Sequence, residues 1–364
     1  MPPAPAGWHH TGFAAALPAR MSPDSSPFAS LDHLEHRFAD GLAAMLHAHR
    51  SLGVYILALA NAAYDRQLWT QLAPALAERH AELAASVADA LRRGETLAEP
   101  DDDLMVFLKL AMIGFERLVP LQSRHDGPWQ VRFNPLRALR PPRASGQAFE
   151  SLLRPFSRTG FHFNKPFLAR ELLWEGELAG KPARLFYNKF PFARLHGLVV
   201  PEPQRELPQV LTPEQHGWAW EVCAQSGVAG LCLGYNSQGA GASVNHLHFQ
   251  SFVQDAPLPV HAARFAHNGG PTAYPLPCKR LDDPIDAWLE IDRLHQQNRP
   301  YNLVYRPGSV HCIARVPQDS DALHAQSRGY GWSEMAGAVT LFSREAYDAL
   351  DASAFEAVLA RFAP

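Results

Sequence analysis

Cysteine is scarce: four residues in 364, with no C-x-x-C pair among them. Cys223, Cys232, Cys278 and Cys312 therefore read as reduced, buried small hydrophobes, not as a disulfide framework or a zinc knuckle. Charge of one sign is scarce as well, with 33 Lys and Arg against 36 Asp and Glu and a formal net charge of −3. A chain so balanced has no general pull toward nucleic acid or an acidic membrane, so a polyanionic ligand needs a local site. Long apolar runs are also missing. The longest, Leu52 to Tyr64, is interrupted by Asn61 and falls short of the roughly 20 residues a membrane span requires. Met1 to Arg20 has prolines and His9-His10 where a signal peptide would carry a basic segment and an apolar core. The expectation is a cytoplasmic enzyme with neither nucleic acid nor membrane as partner.

Hydrophobic residues at 47% and charged residues at 19% describe an ordinary globular protein, and the length suggests two domains. The texture changes near Arg124–Pro128. Before it, apolar residues recur at three- and four-residue spacing from Ser30 to His49, Leu52 to Tyr64, Pro74 to Arg93 and Leu104 to Val119. Pro74 is read in a first helical turn, and the Glu99–Asp103 cluster as an N-cap. After the change come short β-type runs, including Gly230–Asn236 and Asn245–Val253, with a helix at Thr212–Gln225. The fold class expected is α+β: an antiparallel sheet with packed helices, preceded by an all-α N-terminal domain. Residues 1–28 are expected as a flexible segment, 29–125 as the helical domain and 130–364 as the sheet-bearing domain. No residue group in the helical part looks catalytic.

The chemistry concentrates in Leu233-Gly-Tyr-Asn-Ser-Gln-Gly-Ala-Gly-Ala-Ser-Val-Asn-His-Leu-His-Phe-Gln250. On a strand, His246, His248 and Gln250 share one face while Leu247 and Phe249 take the other. Three kinds of site are open to two imidazoles and a carboxamide. One is a metal half-site, completed by His162, His196, His311 or His324. Another is a pair of hydrogen-bonded structural histidines. The third is nucleophilic attack at phosphorus, in which one ring nitrogen attacks and the other donates to a carbonyl that sets the tautomer. Gln250 could then donate to a phosphoryl oxygen. The loop before the motif favours the third. Gly239, Ala240, Gly241 and Ala242 allow close backbone approach to an anion, and Ser237, Ser243 and Asn245 add donors.

The string Asn245-His-Leu-His-Phe-Gln250 resembles the His-x-His-x-Gln motif of the transferase branch of the histidine-triad (HIT-like) superfamily. That branch includes galactose-1-phosphate uridylyltransferase and diadenosine tetraphosphate phosphorylase. The longer run from Gly234 is most similar to the GDP-hexose phosphorylases, which act on GDP-L-galactose or GDP-D-glucose. Leu185-Phe-Tyr-Asn-Lys-Phe-Pro191, His196-Gly-Leu-Val-Val-Pro201, Phe161-His-Phe-Asn-Lys165, Val131-Arg-Phe-Asn-Pro135 and Gly331-Trp-Ser-Glu-Met-Ala-Gly337 also look like parts of these enzymes. The chain departs from many relatives at Pro201-Glu202, where they carry proline-lysine.

The resemblance implies a HIT-like fold and a two-step exchange. His248 would attack the α-phosphorus of a nucleoside diphosphate-hexose, GDP-hexose favoured, and expel a sugar 1-phosphate. Inorganic phosphate or a sugar phosphate would then take the nucleotide from the histidine. His246 would orient the motif, and His196 would brace a strand. Asn188, Lys189, Asn236, Ser237, Gly241, Ala242, Ser243 and Asn245 are candidate substrate contacts. Relatives that hydrolyse usually carry a third histidine where Gln250 stands, and a carboxamide cannot act as a general acid near neutral pH. Transfer onto phosphate is the better fit. No cofactor and no metal are expected, and a homodimer is allowed. The alternatives are a dinucleoside polyphosphate phosphorylase or hydrolase, a metal enzyme using the two histidines as ligands, and a non-catalytic nucleotide-binding module.

Overall fold

Ser30 accepts a hydrogen bond from the His33 amide and opens α1 (Leu31–Ala48), as its Ser/Asp start predicts. This computed structural model describes residues 26–139, 149–318 and 329–364. Most of the segment 1–28, the loop Arg140–Arg143 and His324 lie outside the described residues. α2 (Leu52–Tyr64) is buried along nearly its whole length, which is why its sequence is an apolar run and not a stripe. α3 (Arg66–Arg92) corrects the sequence reading, because Pro74 lies inside it and not in its first turn. Asp65 caps the helix on the Gln67 and Leu68 amides. Leu68, Leu72, Leu76, Leu83 and Val87 then bury as one stripe across the proline, offsetting the ~3 kcal/mol an interior proline costs. α4 (Asp101–Ile113) has no side-chain cap; its first turn instead holds Asp101, Asp102 and Asp103 against the helix dipole.

A hairpin of β1 (Gln122–Asp126) and β2 (Trp129–Phe133) follows. The main sheet uses β3 (Leu172–Leu178), β4 (Lys181–Tyr187) and β5 (Arg194–Pro201), then α5 (Pro213–Ala224), β6 (Leu231–Asn236), β7 (Phe249–Val253) and β8 (Cys278–Leu281). It is completed by α6 (Pro284–Gln296), β9 (Tyr301–Arg306) and β10 (Ser309–Ala314). The chain closes with α7 (Trp332–Met335), β11 (Ala338–Leu341), α8 (Arg344–Ala349) and α9 (Ala352–Ala360). The main sheet has the order β3-β4-β5-β7-β6-β9-β10-β8, and every neighbouring pair is antiparallel. A small sheet of order β1-β2-β11 pairs β11 parallel to β2.

Leu185, Val199, Phe249 and Tyr305 share a core with Leu42, Ile56 and Leu59 of the first helices and with Trp218 and Ile291 of α5 and α6. On the other face, Cys232, Phe252, Val304 and Ile313 pack against Trp129, Trp332 and Met335. The α+β expectation, helices first and a large antiparallel sheet after, is borne out. Gln250 alternates with Phe249 and lies on the second face with Phe252.

Candidate functional site

The ladder of β7 begins at Phe249, not at Asn245 as the alternation suggested. His246 and His248 lie in the approach to the strand, where a side chain takes the place of a neighbouring strand. Gln209, 1% exposed, accepts from the His248 amide at 2.9 Å and donates to the His248 carbonyl at 3.2 Å and the Asn236 carbonyl at 3.0 Å. The Leu247 amide reaches the Leu207 carbonyl at 2.7 Å. Residues 207–209 thus hold the backbone that carries the motif.

That backbone sets the ring of His248. Its Nδ1–H donates to the His246 carbonyl at 2.8 Å, so the lone pair resides on Nε2. His246 is held the opposite way. Its Nδ1 accepts from the Phe163 amide at 3.1 Å, placing the proton on Nε2, which faces the Pro203 carbonyl without closing a hydrogen bond. Burial, with the neighbouring His248 and His162, lowers the His246 pKa to about 4, so it is neutral at pH 7. The Phe163 ring lies 5.0 Å from His248 and 5.7 Å from His246, and Phe156 meets His246 at 5.1 Å. The Phe161–Lys165 motif therefore forms one wall of the site.

Gln250 is oriented by its oxygen. Oε1 accepts from Trp332 Nε1 at 2.8 Å and from His196 Nε2 at 3.1 Å. Nδ1 of His196 accepts from the Phe192 amide, so its Nε2 bears the proton; the Asn188 amide nitrogen 3.2 Å from that atom is a contact, not a donor to it. Burial lowers the His196 pKa to about 3, keeping the ring a neutral donor. With its oxygen occupied twice, Gln250 has only its amide N–H groups to offer a ligand. Trp332 is itself fixed: its backbone N–H donates to Asn236 Oδ1 at 2.8 Å and its indole stacks on Phe252 at 4.2 Å. A Cβ at Gly234 would lie 2.5 Å from that indole, so the close approach requires glycine there. The Gly331–Gly337 motif thus supplies the second support of Gln250.

The other candidates divide into braces and exposed groups. Asn236 Oδ1 accepts from Trp332 and from Asn302 Nδ2, and Ser237 Oγ accepts from the Tyr301 amide. Asn245 is engaged on both ends, accepting from the Gln209 amide and Gln238 and donating to the Arg154 and Pro155 carbonyls. Gly241 and Ser243 are exposed, with Ala242 half-buried between them. Gly239 and Gly241 take positive φ, 73° and 95°. Asn188 Oδ1 accepts from the Phe190 amide, and Lys189 forms an ion pair with Asp103 of α4. The helical part reaches this turn elsewhere too: Asn61 donates to the Asn188 carbonyl at 2.9 Å and Tyr64 to the Phe192 carbonyl at 2.7 Å. Glu202 is held by Lys181 and Arg205. Gln209 and the helical contacts carry no local signal in the sequence, because each acts on residues far along the chain; Trp332 stands in the Gly331–Gly337 run, but its hold on Gln250, 82 positions upstream, shows only in the fold. Among the described residues, no group of three or more His, Cys, Asp or Glu could hold a metal ion, and no helix is long and apolar enough to cross a membrane.

Residues 129–252 match a family model described as "GDPGP1-like, N-terminal domain". The chain is 36% identical over 131 residues to human GDP-D-glucose phosphorylase 1, covering 34% of this chain and 33% of that one. Arabidopsis thaliana GDP-L-galactose phosphorylase 1 is 30% identical over 131 residues, 31% of this chain and 29% of the relative. The match thus spans about a third of the length of these relatives. The resemblance to the GDP-hexose phosphorylases read from the motifs is borne out over this segment. Among solved structures, yeast Ap4A phosphorylase Apa2 aligns with a TM-score of 0.47 at 17% identity, over 73% of this chain and 95% of that one.

Proposed function

We propose that the chain is a nucleotidyltransferase that phosphorolyses a nucleoside diphosphate-hexose, with GDP-hexose favoured, through a nucleotidyl-histidine on His248. The observation that carries this reading is the tautomer of His248, whose Nδ1–H is held by the His246 carbonyl while Nε2 bears the lone pair. Nε2 attacks the α-phosphorus, forming a P–N bond as the bond to the bridging oxygen breaks. The electron pair leaves on hexose 1-phosphate. An oxygen of inorganic phosphate or a sugar phosphate then attacks the same phosphorus and breaks the P–N bond, returning neutral His248. Neither departing group needs a proton, which suits a site holding Gln250 in place of a general acid. The Gln250 amide N–H groups suit a phosphoryl oxygen that gains charge as phosphorus is attacked. The names of the human and Arabidopsis relatives support the substrate class.

The test is incubation with a panel of nucleoside diphosphate-hexoses and dinucleoside polyphosphates, with and without phosphate, read by product chromatography. Hexose 1-phosphate and a nucleoside diphosphate should appear with phosphate, and a denaturing alkaline quench without it should trap nucleotide on the protein, because the P–N bond survives base and is cleaved by acid. Turnover of dinucleoside polyphosphates alone would move the assignment to that substrate class.

A further inference from the structure

α2 is apolar along almost its whole length, yet its last turn carries two polar side chains, Asn61 and Tyr64, at a spacing of three that sets both on one face. Asn61 is 2% exposed and Tyr64 8%. Buried polar groups are costly unless they are bonded, and asparagine is a weaker helix former than the alanines around it. Both side chains reach the turn that joins β4 to β5. Asn61 Nδ2 donates to the Leu57 carbonyl and to the Asn188 carbonyl, each at 2.9 Å. The Tyr64 hydroxyl donates at 2.7 Å to the Phe192 carbonyl, where Arg132 donates as well. α2 thus grips the turn by carbonyls near its two ends.

The turn leads into an irregular stretch of β5. Its pairing with β7 shifts register between Arg194 and Gly197, and Leu195 within that bulge takes φ 49°, a conformation costly for a residue with a Cβ. Surrounding contacts hold it there. Leu195 is buried in the core that α1 and α2 share with the sheet, and Arg194 forms ion pairs with Glu35 of α1 and with Asp65, the residue after α2. His196 follows in the same bulge. Its Nδ1 accepts from the Phe192 amide at 3.2 Å, and its Nε2 donates to Gln250 Oε1 at 3.1 Å. One hydrogen-bonded path therefore runs from Tyr64 through the two peptide groups of Phe192 and the His196 ring to Gln250. Elsewhere on α2, Tyr55 places its hydroxyl inside the helical part, on His80 Nδ1 at 2.8 Å, and reaches no part of the turn.

We propose that Asn61 and Tyr64 are positioning residues for nucleotidyl transfer: the helical part holds the β4–β5 turn and the bulge so that the His196 N–H meets Gln250. This rests on the reading of His248 as nucleophile with Gln250 as donor to the phosphoryl group. The link is the Phe192 amide, which keeps the His196 proton on Nε2. If the turn relaxes and that amide withdraws, the ring takes its proton on either nitrogen. With the proton on Nδ1, Nε2 becomes an acceptor set against the Gln250 oxygen. The carboxamide then turns its N–H groups to the ring and its oxygen toward the ligand, where an oxygen repels the charge that gathers on the phosphoryl group.

The experiment compares Tyr64→Phe and Asn61→Leu with Tyr55→Phe, a control that removes a buried hydroxyl from the same helix, all in the full chain. Tyr64→Phe and Asn61→Leu should each lower kcat about tenfold, with Tyr55→Phe within about twofold of wild type even where its Tm falls. In a Gln250→Ala background Tyr64→Phe should change kcat by less than about twofold, because the group it positions is gone. Nitrogen-15 labelling of histidine reads the link without substrate. His196, assigned by the signals lost in His196→Gln, should be a single Nε2–H tautomer in the wild type and a mixture in Tyr64→Phe. Circular dichroism checks the fold, and if Asn61→Leu fails to fold, Tyr64→Phe decides. An equal loss of kcat in Tyr55→Phe, an undiminished effect of Tyr64→Phe without Gln250, or an unchanged His196 tautomer would each overturn the positioning role. Wild-type chain that turns over no nucleotide substrate would remove the His248 reading, and the His196 signals alone would then decide the link.

Discussion

Two groups of imidazoles lie on the same face of the main sheet, and they are built differently. Around Gln250, each ring nitrogen of His196 has a hydrogen-bond partner, and His248 is set in one tautomer by the His246 carbonyl. Toward the other end, His261 and His311 lie 4.7 Å apart with His267 5.5 Å from His311. There His311 donates through Nε2 to Asn268 Oδ1 and His267 donates to the Val260 carbonyl, but His261 Nε2 and His311 Nδ1 have no partner among the described residues. Burial lowers the pKa in both groups, to about 3 for His196 and about 2 for His311. Burial and histidine density therefore do not distinguish the groups. An unpartnered ring nitrogen does not either, since His246 Nε2 has no partner among the described residues; what sets the first group apart is a ring fixed in one tautomer by a backbone carbonyl, beside a carboxamide whose oxygen accepts two hydrogen bonds.

The comparison breaks most sharply at the ring itself. His248→Asn should cut turnover by about three orders of magnitude or more, because no other group replaces the lone pair of Nε2. Single-turnover assays on folded protein check this, and residual turnover above a few per cent would remove His248 as nucleophile. The next effect belongs to the clamp. Gln209→Glu keeps an acceptor for the His248 amide but sets a carboxylate oxygen against the His248 and Asn236 carbonyls. The motif should shift, with kcat falling about a hundredfold and the hexose-nucleotide KM little changed. A loss confined to KM would show that Gln209 shapes binding and not the attacking ring. Trp332→Phe preserves stacking on Phe252 but removes one of the two donors to Gln250. A tenfold fall in kcat/KM, about 1.4 kcal/mol, is expected with little change in Tm; equal kcat/KM would mean that His196 alone orients the amide.

These supports explain what the sequence could and could not reveal. His246, His248 and Gln250 were legible because a small-residue loop and an alternating polar trio are local patterns. The start of β7 was misread because alternation cannot tell a strand from a segment held by one side chain, here Gln209, 39 positions upstream of His248. Lys189 carried the right charge, but its partner Asp103 lies 86 positions upstream, on a helix whose packing against the sheet no local pattern records. The helical order, the large antiparallel sheet and the α+β class followed from hydrophobic periodicity, while the proline inside α3 shows burial overriding a local stop signal.

The smallest effect on catalysis is expected in the second imidazole group, where the effect moves to acid stability. His311 has a folded pKa of about 2, lowered first by burial and then by His261, His267, Arg306 and Arg280, against an unfolded value near 6.5. As pH falls below about 6.5, the unfolded chain takes up a proton that the folded chain refuses. Stability is therefore full above that value and declines on acidification, by up to about 1.4 kcal/mol per pH unit for this ring. His311→Gln removes the titrating group. Between pH 7.5 and 5.5, urea unfolding should show the variant losing about 1 kcal/mol less stability than wild type, with turnover per folded molecule within about twofold. Parallel acid limbs would mean that His311 is charged in the folded state. A collapse of turnover would join the two imidazole groups into one functional unit and end the distinction drawn from their hydrogen bonds.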